Sequence, residues 1–150
     1  MSSSNKPRAF NPPDVPKPPP SYDQVCITPI LPTSKFITLA GQTGRLSDGS
    51  IGSDIKSQAK AAYESVHKCL KAAGATPRDI VHVRHYIVKD SGIPGDEDVD
   101  VVHRGWADFW IEFMDKEADG HKPPDTVVGV ASLAVKDLLY EVEVSAIVTS

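Results

Sequence analysis

The chain has 150 residues, 40% of them hydrophobic, which is enough for one sizeable core and too few for two full-sized domains. Its 16 Lys and Arg against 20 Asp and Glu give no basic field of the kind that a phosphate backbone attracts, so nucleic acid is not an expected partner. The opening MSSSNKPRAF lacks an apolar leader core, and no run approaches the roughly 18 apolar residues needed to cross a bilayer, so a cytoplasmic chain with no membrane partner is expected.

Residues 1–21 hold seven of the 13 prolines and read as an extended tail or arm, leaving residues 22–150 as a single domain. A ligand for a proline-binding module is the functional reading of that run; an ordinary Pro-rich terminus is the commoner one. Short apolar segments from Asp23 to Ile30 and from Lys35 to Ala40 flank Pro32-Thr33-Ser34 and predict a two-stranded hairpin. Ser53 reads as the cap of a helix in which Ile55, Ala59, Ala62, Val66, Cys69, Leu70 and Ala73 recur at helical spacing before Gly74. Asp79 to Asp90 is β-branched and alternating, with Ile80, His82, Arg84 and Tyr86 on one face. Val99 to Glu117 carries Val102, Trp106, Phe109, Trp110 and Phe113 at helical spacing, an aromatic stripe suited to packing on a sheet. Beyond Pro123-Pro124, the segments Thr126 to Leu133 and Leu139 to Val148 predict an antiparallel hairpin.

The order ββ, α, β, α, ββ predicts an α+β fold, a mixed sheet with two helices packed on one face. The last strand sets Tyr140, Val142, Val144, Ala146 and Val148 against Glu141, Glu143 and Ser145, so the other sheet face is polar and has no helix to cover it. Cys26 and Cys69 read as buried thiols of a reducing compartment rather than a disulfide. His82 and His85 fall on opposite faces of their strand, and no other histidine or cysteine spacing suits a metal, so neither metal nor cofactor is expected.

Several segments together resemble the Rid/YjgF/YER057c family over roughly residues 20–148. They are Pro20-Ser21-Tyr22 with Gln24, Phe36-Ile37-Thr38-Leu39-Ala40-Gly41-Gln42, the helix with Gln58 that ends in Ala72-Ala73-Gly74, and Val88-Lys89-Asp90. Near the C-terminus they are Pro124-Asp125-Thr126-Val127-Val128-Gly129-Val130-Ala131-Ser132-Leu133 and Tyr140-Glu141-Val142-Glu143-Val144-Ser145-Ala146-Ile147. The resemblance implies a chorismate-mutase-like fold assembled as a homotrimer, with clefts between subunits for a small-molecule substrate or metabolite. In deaminating members of that family, an arginine grips the substrate carboxylate and a glutamate positions water. The glutamate position matches Glu141, and the arginine position is Thr126.

The cleft positions that the resemblance carries over are Tyr22, Ala40, Gly41, Gln42, His103, Thr126, Val128 and Glu141. Ala40 stands where many members have serine, and His103 where many have asparagine. A threonine hydroxyl is neutral and single-pronged where a guanidinium is charged and two-pronged, so hydrolysis of small 2-imino acids does not carry over. Arg45 and Arg104 are the alternative cations weighed for that role, and both read as surface residues. The expected activity is water addition or proton transfer on an enamine, imine or related conjugated carbonyl intermediate, of the kind met in secondary metabolism. Glu141 is its acid/base group, and His103 a partner or an ordinary surface histidine. The alternative is a trimer that binds or senses a metabolite without turning it over. The ribonuclease activity known among relatives sits poorly with the acidic balance.

Overall fold

A computed structural model describes residues 5–150 and contains seven strands and two α-helices among them. Strands β1 (Arg8–Phe10) and β2 (Val25–Ile27) precede β3 (Ser34–Thr38) and β4 (Gln42–Thr43). Helix α1 (Ile55–Ala72), β5 (Ile80–Val88), α2 (Trp106–Glu117), β6 (Asp125–Val130) and β7 (Tyr140–Thr149) follow. The main sheet runs β3-β7-β5-β6, with β4 also on β7; β6 is parallel to β5 and the other pairings are antiparallel. This is the α+β layering that the sequence predicts, with both helices on one face.

Helix α1 forms where Ile55, Ala59, Ala62, Tyr63, Val66 and Leu70 make one buried stripe. Its cap is Asp54 rather than Ser53, because the Asp54 carboxylate accepts from the Ser57 amide at 2.7 Å. Gly74, at φ +81°, adopts the left-handed conformation that ends the helix. Trp106, Trp110 and Met114 bury the inner side of α2 against the same layer of Val83, Ile87, Tyr140, Val142 and Val144.

Three expectations change. The segment around Val25 does not form a hairpin with β3; β2 pairs instead with β1, from within the Pro-rich region, and β3 pairs with β7. The Pro32-Thr33-Ser34 turn redirects the chain without returning it on itself, so adjacent apolar segments belong to two sheets. Residues 1–4 of the Pro-rich region lie outside the described residues. Strands β6 and β7 are not a hairpin either, because β5 is inserted between them and takes β6 in parallel register. The second helix starts at Trp106, not Val99, because Gly105 at φ +95° breaks the helical path and Val101–His103 forms a separate 3-10 turn.

Inside the core, Tyr63, Tyr140, His85 and Asp125 make a polar chain behind the sheet. The Tyr63 hydroxyl lies 2.9 Å from that of Tyr140, which lies 2.6 Å from His85 Nδ1. His85 Nε2 is 3.3 Å from an Asp125 carboxylate oxygen, a close contact lying off the line of a good hydrogen bond. Burial holds His85 below the usual imidazole range, with Asp125 opposing it; His121, whose Nε2–H donates to the Ile80 carbonyl, is lowered for the same reason. The unfolded chain therefore takes up protons at these sites before the folded one does. Stability from them is complete above the unfolded value near 6.5 and is lost as pH falls below it. Glu141, displaced upward, works in the opposite direction. The thermal midpoint is expected to fall between pH 7.5 and pH 5.5; a midpoint that rises would show that the carboxyl outweighs the imidazoles.

Candidate functional site

Strand β7 alternates as its sequence dictates, with Tyr140, Val142, Val144 and Ala146 buried under the helices and Glu141, Glu143 and Ser145 on the face that no helix covers. Its neighbours present two cross-strand rows there. Thr126, Arg84 and Glu143 occupy one, and Val128, Tyr86 and Glu141 the next. The edge strand completes the site from the other side. From Thr38 to Gln42 the chain advances four residues while its partner β7 advances three, from Ser145 to Val142, so Ala40 and Gly41 fall in a bulge.

The bulge brings Gly41 directly over Glu141. A Cβ on Gly41 would stand 2.6 Å from the Glu141 carboxyl carbon, closer than atoms can sit, so only glycine leaves room for this carboxyl. Gln42 braces the turn by donating from Nε2 to the Ala40 carbonyl at 3.0 Å. The start of β7 is held by the buried Gln58, whose Nε2 donates to the Gly52 and Asp137 carbonyls and whose Oε1 accepts from the Leu139 amide at 2.7 Å. One side chain of α1 thus ties both connections that lead to the site.

Burial, first, and the neighbouring Glu143 carboxylate, second, push the Glu141 carboxyl above the usual carboxylate range. Glu143 Oε1 accepts from Arg84 Nη1 at 3.2 Å and from the Tyr86 hydroxyl at 3.0 Å. Two similar carboxyls thus differ in their surroundings, Glu141 half-buried against Gly41 and Glu143 bonded to a guanidinium and a phenol.

Gly41 and Glu141 are therefore in contact, Val128 shares a row with Glu141, and Thr126 lies one row away in register with Arg84. Tyr22 and His103 lie on other segments, and among the described residues no hydrogen bond or ion pair joins either to Glu141. Tyr22 is half-buried in the segment before β2, where the Asp23 amide donates to the Lys122 carbonyl. His103 ends the exposed 3-10 turn beside β6 rather than lying on α2.

Arg104 is not a surface residue. It is only 8% exposed, and Nε, Nη1 and Nη2 donate to the carbonyls of Val99, Val88 and Asp96 at 3.2, 2.9 and 3.0 Å. Its charge is spent on the backbone, and Arg45 stays exposed in the loop bridged to Ile51. The cation that sequence reasoning missed is Arg84, and its alternation with His82 and Tyr86 was the signal for the face it occupies. Among the described residues, no group of three metal-ligating side chains is found. No helix among them is long and apolar enough to cross a membrane.

Gly41→Ala tests the bulge contact. Its backbone needs no glycine-specific torsion, so folding should be little changed while the flexible carboxyl is displaced toward solvent. A carboxyl titration of Glu141 by NMR should then move down toward the ordinary range; an unchanged value would place the carboxyl elsewhere.

Residues 14–148 match a family model described as Endoribonuclease L-PSP. Among solved structures, the Rid-family protein YyfB of Yersinia pestis, of unknown function, superposes with a TM-score of 0.73 at 24% identity, covering 94% of this chain and 98% of that one. E. coli TdcF, solved with bound serine, gives 0.62 at 22% identity over 88% and 97% of the two chains. A YjgF/YER057c/UK114 member from Mycobacterium tuberculosis gives 0.56 at 25% identity over 85% and 86%. No curated protein matches the chain.

Proposed function

As this chain belongs to the Endoribonuclease L-PSP family, the group of the YjgF and Rid proteins, we propose that it hydrolyses an imine or enamine at a cleft built on the helix-free sheet face. The observation that carries this reading is the Glu141 carboxyl, half-buried, held against the Gly41 bulge, and raised in proton affinity by that burial and by Glu143. In its protonated form Glu141 gives its proton to the substrate nitrogen. The resulting carboxylate takes a proton from water as the water oxygen bonds to the imine carbon. Glu141 passes that proton to the carbinolamine nitrogen as the C–N bond breaks, then takes up the hydroxyl proton as the C=O bond forms, so that imine and water give a carbonyl compound and an amine and the acid is regenerated.

The polar face with Glu143 and Ser145 and the apolar Val128 and Val130 call for a partner sheet, and a homotrimer places one subunit's face against the next. Tyr22, Gln42 and Ala40 then line the cleft with Thr126 and Val128, and the exposed His103 turn is free to reach a neighbouring subunit. Small 2-imino acids are poor substrates in this reading, because Thr126 offers a carboxylate one neutral hydroxyl.

The test is release of amine or ammonia from a panel of imines and enamines, on protein whose mass has been fixed by light scattering. Turnover by a trimer on carboxylate-free members of the panel is expected. A monomer at micromolar concentration would remove the shared cleft, and a trimer that turns over nothing in the panel while binding its members would be a metabolite-binding module.

A further inference from the structure

The charges on the helix-free face do not cancel. Arg84 carries the one cation of the two rows, and its Nη1 is already met by Glu143, which also takes the Tyr86 hydroxyl. Thr126 adds no charge on β6, Val128 none beside it, and the edge strand sets the uncharged Gly41 and Thr43 against Glu141. His82, on the same face of β5, is held toward its neutral form, chiefly by burial. One guanidinium against two carboxylates leaves Glu141 without a counter-ion among the described residues.

We infer that the site selects a cationic ligand without a carboxylate, an iminium or a protonated amine, with Glu141 as its counter-ion. This rests on the reading of Glu141 as the acid/base group and adds the charge class of the substrate. An anionic ligand would have to share Arg84 with Glu143 and lie beside a second carboxylate. An iminium meets the reverse situation. It forms when Glu141 gives up its proton, and the positive charge then faces the carboxylate that the transfer creates. Thr126 is the neutral neighbour such a ligand requires, since an arginine there would repel it.

Three matched probes test the inference on the intact protein: benzylammonium, benzyl alcohol and benzoate, followed by NMR shift changes at Tyr86 and Glu141. At pH 7.5 benzylammonium should bind at least about tenfold more tightly than benzoate, a difference of about 1.4 kcal/mol, and lose that advantage as acid protonates Glu141. Glu143→Gln, which frees Arg84, should shift the preference toward benzoate. Tighter benzoate binding by the unaltered protein, or no preference among the three, overturns the inference but leaves the acid/base reading standing. A cation preference that survives Glu141→Gln unchanged also overturns the inference, because the charge would then be supplied elsewhere, whereas the acid/base reading falls only if the same variant keeps full turnover.

Discussion

Replacing Glu141 by glutamine should lower turnover of an imine or enamine about 10²-fold or more, the usual scale for losing a positioned acid or base. Folding should barely change. The amide matches the carboxyl in shape, fits the same space over Gly41, and removes an ionisable group that is half-buried and crowded by Glu143. A thermal midpoint within about 2 °C of the parent, a shift worth less than about 1 kcal/mol for a chain of this size, would show that the loss is chemical. A protein that only binds its ligand responds differently: affinity changes by about 1–3 kcal/mol for one lost partner, with no product to lose. Full activity in the variant would take Glu141 out of the chemistry and direct attention to His103 and Tyr22.

The second large effect belongs to stability. Arg104→Ala should cost at least about 3 kcal/mol, because each hydrogen bond to a charged group is worth about 1.5–3 kcal/mol and three carbonyls, that of Val88 buried and those of Asp96 and Val99 partly so, lose their donor together. For a domain of this size that corresponds to a fall of about 6 °C or more in thermal midpoint. Arg104→Lys should recover only part of it, since an ammonium cannot span the carbonyls of Val88, Asp96 and Val99 at once. A loss under about 1 kcal/mol would mean that water replaces the guanidinium and that the turn carrying His103 is held by other contacts.

Local pattern revealed much of this molecule. Helical spacing from Ile55 to Leu70 gave α1 within a residue of its observed start, and alternation along β7 assigned Glu141 to the uncovered face before any packing was known. Strand partnership was less accessible. The register of β2 with β1, and of β6 with β5, depends on contacts far along the chain that two neighbouring apolar segments cannot announce. The bulge at Ala40 and Gly41 is a mismatch of one residue against β7, invisible without the partner strand. Arg104 was misjudged because charge usually seeks solvent, and only the geometry of three converging carbonyls could reverse that expectation. Arg84 was legible as to face, but its partner Glu143 lies 59 residues away.

The position of β7 also bears on how the chain is made. It comes after every other strand of the main sheet, yet β3, β4 and β5 all pair with it, and Phe36 meets Ile147 across more than a hundred intervening residues. A nascent chain halted before residue 140 holds two helices' apolar stripes and three strands with no common partner. Its ends must close a long loop before those pairings repay the lost freedom, which makes folding slow compared with a helical bundle of the same length. Synthesis therefore carries the hydrophobic layer of Trp106, Trp110 and Leu70 exposed until the final strand emerges. It is in that interval, rather than in the finished protein, that this sequence is most open to aggregation and most in need of a chaperone.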